Sequence, residues 1–232
     1  MTTKQYRCQI NLNLYDAANC ETLATQAAVG RHLRIIDPKL DQLNHLDNYQ
    51  KPVKVELCED DYPGWLQVDD IKYLEPTTKI YQAKLLSADE IQGRIPGAIA
   101  FTQVAMKQPN YYLWGGTVGP NYDCSGLMQA AFASVGIQIP RDAYQQEAFT
   151  NAISLEELQA GDLVFFGPRE KATHVGLYLG DGHYIHSSCK ETGRNGMAID
   201  VLSATGDVVT QYYYDLLRGA GRVVCSYQPQ NR

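Results

Sequence analysis

Cys124 is the residue of this sequence best placed to act as a nucleophile. It lies in the stretch GPNYDCSGLMQAAFASVG, residues 119–136, where a loop of turn-forming residues changes to an apolar, alanine-rich run that is typical of a helix. At a helix start, unpaired backbone N–H groups and the positive end of the helix dipole stabilise a thiolate, which lowers the thiol pKa from about 8.5 toward neutrality. The alternative is that Cys124 is a small buried hydrophobic residue.

Two of the five histidines, His174 and His186, lie on predicted strands that flank the tight Gly-Asp-Gly at residues 180–182. One imidazole near a thiol can take its proton, and a second can orient the first through a ring N–H hydrogen bond. The alternatives are that each histidine is an ordinary hydrogen-bonded polar residue, or that both bind zinc together with Cys124.

Catalysis requires both imidazoles on one side of the hairpin, so its register must have one parity. A three-residue loop over residues 180–182 would pair Leu179 with His183 and set Gly176 opposite His186. A two-residue loop would place the histidines on opposite faces unless one strand carries a bulge.

The first 75 or so residues predict a small antiparallel β-barrel, with Pro63-Gly64 as a turn and Trp65 as an aromatic core candidate. A polar break at residues 75–79 separates this part from the rest, so the predicted domains are residues 1–78 and 79–232. The expected strands are AVGRHLRIID at 28–37, KPVKVELCEDDYPGWLQV at 51–68 and DIKYLEP at 70–76.

The second domain predicts an α+β fold. A helix is expected over residues 97–108, between Pro96 and Pro109, and a second helix from Cys124 to a terminating Gly136. From Asp162 the pattern is that of an antiparallel sheet packed against the cysteine-bearing helix. The expected strands are DLVFFG, HVGLYLG, HYIHSS, AIDVL and AGRVVCSY.

Composition excludes several classes of function. The net charge of −6 and the absence of a Lys/Arg cluster argue against nucleic acid as a partner. No stretch resembles a secretory signal or a membrane span, so we expect a cytoplasmic protein without a membrane partner. The six cysteines include no CxxC pair, which fits neither a zinc ribbon nor a dense disulfide scaffold.

Five motifs in order give a more specific indication: YLWGG at 112–116, DCSGL at 123–127, GDLVFF at 161–166, HVGLYLG at 174–180 and HSS at 186–188. This set resembles the NlpC-type cell-wall cysteine peptidases, a branch of the papain-like fold. The Gly-Trp followed by alternating Leu-Gln-Val in the first domain resembles bacterial SH3-like domains. Together the two parts are similar to the γ-D-glutamyl-L-diamino acid endopeptidases of cyanobacteria, which cut murein peptides between γ-D-glutamate and the diamino acid.

The resemblance implies a role for each matching residue. Cys124 is the expected nucleophile, His174 the general base and His186 the residue that fixes the tautomer of His174. The expected substrate-binding residues are Asp123, Ser125, Tyr112, Trp114 and, from the SH3-like domain, Tyr62. After the Ile-Pro-Arg of residues 139–141 the related enzymes tend to have serines, whereas this chain has Asp142 and Ala143.

A carboxylate beside the nucleophile would repel a thiolate, so Asp123 requires a compensating cation, and a substrate ammonium is a natural one. The N-terminal L-Ala of a murein peptide carries such an ammonium when its amine is free. We therefore expect the enzyme to require a substrate with a free N-terminal L-Ala. The alternatives are that Asp123 is only a helix cap, that Trp114 is core packing, that Tyr112 anchors a loop and that Tyr62 stacks in the barrel.

The resemblance implies a cysteine endopeptidase that acts on the murein peptide L-Ala-γ-D-Glu-diaminopimelate, in cell-wall recycling, with no metal and no cofactor. Two alternatives remain: an acyltransferase built on the same cysteine and histidine, and a non-catalytic cell-wall-binding module.

Overall fold

A computed structural model describes residues 4–36 and 50–230. The last residue of the strand expected over 28–37 lies outside these ranges. Among the described residues, no helix is long and apolar enough to cross a membrane.

The first domain is an antiparallel sheet whose strands alternate buried and exposed side chains around a core of leucines and valines. Its strand order is β3-β2-β6-β5-β4-β1-β7, a small antiparallel β domain as expected. The strands are β1 (Gln5–Cys8), β2 (Leu12–Tyr15), β3 (Leu23–Ala27), β4 (His32–Ile35), β5 (Val53–Leu57), β6 (Pro63–Leu66) and β7 (Leu74–Thr77).

Three local expectations for this domain are wrong. Pro63 and Gly64 lie within β6, and the chain reverses earlier, where Asp61 takes a positive φ of 54°. A side chain at Gly64 would crowd Leu14 on β2, so the glycine serves strand packing. Trp65 is only half-buried, because Leu66 is the inward-facing residue of that pair. The expected strand at 70–76 begins as a 3-10 helix, Val68–Tyr73.

The second domain has an α+β fold, as expected. Its six-stranded antiparallel sheet has the order β12-β11-β10-β9-β13-β8. The strands are β8 (Asn151–Ile153), β9 (Leu163–Phe166), β10 (His174–Gly180), β11 (His183–Ser188), β12 (Gly196–Val201) and β13 (Leu217–Arg222). The helices are α1 (Ala88–Met106), α2 (Cys124–Ser134), α3 (Ala143–Phe149) and α4 (Val208–Asp215).

Helices cover both faces of this sheet. On one face α2 buries Leu127 and Phe132 against Val175 of β10. On the other face α4 buries Val209 and Tyr213 against β9 and β11. The start of β10 is therefore held between two packed layers.

The helix α1 begins nine residues before the expected start at Gly97. Ser87 and Glu90 form a reciprocal capping box that satisfies the first backbone N–H groups, so the helix starts there. Pro96 lies inside the helix and does not mark its beginning. The expected boundary between residues 78 and 79 falls in the segment between β7 and α1.

The β10–β11 hairpin brings both histidines to one face through a two-residue loop combined with a strand bulge, the second of the two expected arrangements. Its loop is the two-residue Asp181-Gly182, and Gly180 pairs with His183. A bulge at Leu179 then shifts the register, so Tyr178 pairs with Tyr184 and Leu177 with Ile185. The histidines consequently face the same side.

Two helical glycines provide a matched test of the packing at the start of α2. A Cβ at Gly126 would lie 2.0 Å from the Gly116 carbonyl oxygen, whereas a Cβ at Gly93 would meet nothing within 4 Å. We expect Gly126→Ala to lower the free energy of unfolding by about 1–3 kcal/mol or more, and Gly93→Ala to raise it by about 0.5–1 kcal/mol. Urea denaturation measures both, and equal effects would contradict the close approach of the 112–116 loop to α2.

Candidate active site

The nucleophile candidate Cys124 is the first residue of α2, and Asp123 is its N-cap. The Asp123 carboxylate accepts hydrogen bonds from the Gly126 N–H at 2.7 Å and from the Gly115 N–H at 2.9 Å. One side chain therefore closes the helix start and holds the Gly-Gly loop beside it.

The thiol of Cys124 is buried, and burial together with the Asp123 carboxylate raises its pKa to about 12. Backbone N–H groups of Val175 and Ser125 donate to the sulfur and act in the opposite direction. The expectation that the helix start alone lowers this pKa toward neutrality is wrong, because the cost of burying the charge is larger. A proton acceptor must generate the thiolate.

That acceptor is present at the start of β10. Val175 binds the sulfur through its backbone and directly follows His174. His174 Nε2 lies 2.7 Å from His186 Nδ1, so the structure brings the two predicted histidines together. Burial lowers the pKa of His174 well below its usual value, as does the neighbouring His186. The base is therefore neutral and able to accept a proton.

Sequence reasoning missed two residues behind the histidines. His186 Nε2 lies 2.7 Å from the buried Asp200 Oδ2. Arg194 donates to both oxygens of the same carboxylate. A sequence signal was available for Asp200, because it is an acid in the middle of the apolar strand AIDVL. In the β11–β12 register Asp200 pairs with the buried Tyr184.

Asp123 has a cationic partner within the protein. Arg141 Nη2 donates to Asp123 Oδ2 at 2.6 Å and Nη1 donates to Oδ1 at 3.1 Å. Nη1 donates at 2.9 Å to the hydroxyl of Ser125, and Nε donates at 2.9 Å to Thr25 of the first domain. Arg141 thus supplies a compensating cation for Asp123 within the protein itself. Contact of Asp123 or Ser125 with substrate stays a prediction.

A cleft of about 380 Å³ contains the nucleophile and lies between the two domains. Asp123, Ser125, Tyr62, Tyr112 and Trp114 all line it, together with Leu23 and Ala24 of β3. Trp114 is 66% exposed, so it is not core packing. Burial and the adjacent Cys124 raise the pKa of Tyr112, which keeps its hydroxyl protonated beside the nucleophile.

Asp142 is a further cleft residue that the sequence did not assign. Its carboxylate accepts a hydrogen bond from the Tyr62 hydroxyl, with the two oxygens at 3.2 and 3.4 Å. Burial raises the pKa of Asp142, although Arg141 and Tyr62 oppose the shift. Within residues 4–36 and 50–230 this carboxylate forms no salt bridge, because the guanidinium of Arg141 is directed to Asp123, Ser125 and Thr25.

The zinc alternative does not fit this geometry. Both ring nitrogens of His186 are hydrogen-bonded, one to His174 and one to Asp200. His186 thus has no lone pair to direct at an ion beside Cys124. The part of the chain that the structure describes contains no group of three His, Cys, Asp or Glu side chains that could hold a metal ion.

A cysteine at a helix start, packed against an antiparallel sheet that supplies the histidine, defines a cysteine peptidase of the papain-like class. Residues 109–218 match the NlpC/P60 family, and residues 14–71 match the bacterial dipeptidyl-peptidase Sh3 domain. The chain therefore carries an NlpC/P60 cysteine peptidase domain behind a bacterial SH3 domain. The narrower resemblance to the cyanobacterial enzymes stays a prediction.

Several curated proteins are similar to this chain. The bifunctional muramidase/DL-endopeptidase CwlT of Bacillus subtilis strain 168 is 35% identical over 134 residues, 54% of this chain and 40% of the relative. A gamma-D-glutamyl-L-lysine dipeptidyl-peptidase of the same organism is 41% identical over 97 residues, 40% of this chain and 31% of the relative. A protein of the same name from Bacillus cereus strain ATCC 10987 is 28% identical over 230 residues, 73% of this chain and 68% of the relative.

The buried thiol makes Cys124 alkylation dependent on His174. Because the thiol pKa is about 12, His174→Ala removes the acceptor that generates the thiolate near neutral pH. We expect the rate of Cys124 alkylation by iodoacetamide at pH 7 to fall at least 10²-fold in this variant, an order of magnitude typical of losing a general base. Peptide mass spectrometry measures the rate, with the exposed Cys225 as the internal control. An unchanged rate at Cys124 would contradict the pairing.

Proposed function

We propose that the protein is a cysteine endopeptidase that cleaves the γ-D-glutamyl–L-diamino acid bond of murein peptides with a free N-terminal L-Ala. The observation that carries this proposal is the pair Asp142–Tyr62, a half-buried carboxylate in the nucleophile's cleft that forms no salt bridge with the described residues. The diamino acid is expected to be diaminopimelate. The relatives named for lysine make the lysine tripeptide the second substrate to test.

Asp142 takes the role that the sequence alone had given to Asp123. Asp123 forms a salt bridge with Arg141, whereas Asp142 forms none among the described residues and accepts hydrogen bonds from the Tyr62 phenol and the Gln145 backbone N–H. A substrate ammonium at this place satisfies the carboxylate, and removing one partner of such a pair costs about 2–5 kcal/mol. The cleft thus has a charge that recognises a free amine.

The spacing between Asp142, which binds the amine, and Cys124, which attacks the scissile bond, determines how long an acyl portion the cleft accepts. Asp142 is the N-cap of α3, and Cys124 is the first residue of α2. Both line one cleft, which Tyr62 and β3 of the front domain enclose on the other side. An L-Ala-γ-D-Glu dipeptide is the expected acyl portion, in keeping with the name dipeptidyl-peptidase that two relatives carry.

The chemistry uses groups already in place. His174 takes the Cys124 proton, and the thiolate attacks the γ-carbonyl of D-glutamate. The Cys124 backbone N–H stabilises the oxyanion, and the protonated Tyr112 hydroxyl is the proposed second donor. The imidazolium of His174 then protonates the leaving amine. Water, deprotonated by the same imidazole, hydrolyses the thioester, releases the dipeptide and returns the thiol.

A role in cell-wall recycling is proposed because the substrate must carry a free amine. In intact wall, L-Ala is amide-linked to the muramyl lactyl group and carries no ammonium. An enzyme whose cleft pairs Asp142 with an ammonium therefore acts on peptides that have already been released. The front domain acts as a specificity gate through Tyr62, and a cytoplasmic location is the proposal that fits this use.

The test of the gate compares L-Ala-γ-D-Glu-diaminopimelate with its N-acetylated form. We expect acetylation to lower kcat/KM at least 10²-fold in the wild type, and Asp142→Asn to lower kcat/KM for the free peptide by a similar factor while abolishing the discrimination. Mass spectrometry of the products gives both rates, and the lysine tripeptide is assayed in parallel.

The control is Asp16→Asn, which removes another carboxylate that lines the same cleft, on the front domain. Discrimination should persist in this variant. If discrimination between the free and the acetylated peptide were lost in Asp16→Asn and kept in Asp142→Asn, the amine would bind to the front domain and not to Asp142. Equal turnover of free and acetylated peptides by the wild type would refute the gate, and no turnover of either would favour the wall-binding alternative.

The pH dependence gives an independent prediction. An α-amino group titrates near 7.7–8.0, so the free peptide loses its ammonium as the pH rises through about 8. The acid limb requires neutral His174, whose lowered pKa places that limb below the usual 6.5. We expect kcat/KM for the free peptide to fall above pH 8. The residual turnover of the acetylated peptide should not show this alkaline fall.

A further inference from the structure

A continuous polar chain starts at the base and runs through residues that do not line the cleft. His174 contacts His186, His186 contacts Asp200, and Arg194 donates to Asp200 and to Asp207. His186 and Asp200 are 0% and 4% exposed. Two atoms are shared between links: Asp200 Oδ2 accepts from both His186 and Arg194, and Arg194 Nη2 donates to both Asp200 and Asp207.

We propose that Asp200 and Arg194 are positioning residues that set the tautomers of both histidines and thereby direct the free lone pair of His174 toward the nucleophile. Of the measurements that test this proposal, only kcat/KM on the tripeptide depends on the proposed hydrolysis. It extends the expected set of three residues by an ion pair on β12 and the loop before it.

The tautomers follow from one fixed acceptor. Asp200 is ionised, because hydrogen bonds from His186 and Arg194 overcome its burial and hold its pKa at about 2. A carboxylate only accepts, so His186 carries its proton on Nε2, and its Nδ1 must accept from His174. His174 then carries its proton on Nε2, which leaves the Nδ1 lone pair as the base.

Arg194 keeps the two histidines in these tautomers. Its Nε and Nη2 donate to the two Asp200 oxygens, which fixes the carboxylate plane and keeps the carboxylate from taking the His186 proton. Asp207 accepts from Arg194 at 2.9 Å and is also the N-cap of α4. That helix carries Tyr213, whose ring stacks on His174 at 4.4 Å between centroids. The ion pair thus also holds the helix that packs on the base.

The charges around the two imidazoles decide how the base titrates. Asp200 and Arg194 face them from β12 and the preceding loop, Tyr184 from β11 and Tyr213 from α4. On α2, Cys124 accepts from the backbone N–H of Val175, the residue next to His174. The carboxylate of Asp200 stabilises an imidazolium, and the guanidinium of Arg194 opposes it. Removing one or the other therefore moves the acid limb in opposite directions.

The experiment measures the pH dependence of Cys124 alkylation by iodoacetamide in the full chain, alongside kcat/KM on the tripeptide. We expect Asp200→Asn to lower both plateau rates about 10²-fold or more, as for loss of an orienting carboxylate, and to move the acid limb down by about one pH unit. Arg194→Gln should move the limb up. Alkylation reads the base without any substrate, so it is decisive even if the tripeptide is not turned over.

The matched control is Asp162→Asn, which breaks another buried Asp–Arg pair, that with Arg222, in the same domain. It should lower the melting temperature without moving the acid limb. Shifts of the same sign in Asp200→Asn and Arg194→Gln, or a limb shift in the control as large as theirs, would overturn the proposal.

Nitrogen NMR of the wild type keeps the proposal testable if a variant fails to fold. We expect a proton on His186 Nε2 with Nδ1 unprotonated, and the same pattern on His174 at pH 7. A proton on His186 Nδ1 would overturn the proposal directly, because His174 Nε2 would then have to accept.

Discussion

The buried ion pair between Asp123 and Arg141 is the interaction on which the rest of the site depends. A carboxylate next to a buried nucleophile is costly unless it is paired and fully hydrogen-bonded. Asp123 meets both conditions, because it also accepts from Gly115 and Gly126. The same group therefore caps α2, anchors the glycine loop and remains neutralised while the thiolate forms. Removal of Arg141 would leave an uncompensated carboxylate beside the sulfur.

This ion pair also connects the two domains. Arg141 reaches Thr25 of β3, and two further hydrogen bonds join the domains, the buried Gln129–Asp60 and the half-buried Tyr62–Asp142. These contacts place the front domain over the cleft as one of its walls. The position of Tyr62, and with it the space left for an acyl group, depends on the same guanidinium that stabilises the helix start. Stability and specificity share one set of residues here.

The sequence predicted the parts of the site that are local. A cysteine at a helix start and two histidines on one hairpin are recognisable from short motifs, and the parity of a strand pair limited the hairpin to an odd loop or a bulge. The bulge at Leu179 could not be chosen in advance, because both routes give the same register at His186. Arg141, Asp142 and Asp200 were missed because their roles arise from packing between distant segments. The thiol pKa was misjudged because helix-end stabilisation is visible in a sequence, whereas burial is not.

Two Asp–Arg pairs flank the reacting groups, one beside the thiol and one behind the imidazoles. Both thiol and imidazole are neutral at rest, since burial raises the pKa of the first and lowers the pKa of the second. Charge separates only when the proton moves. The new thiolate then meets the N–H groups of Val175 and Ser125, and the imidazolium meets a carboxylate through His186. Because these dipoles and charges are already fixed by the fold, little reorganisation accompanies the transfer, which is the condition under which buried polar groups lower a barrier.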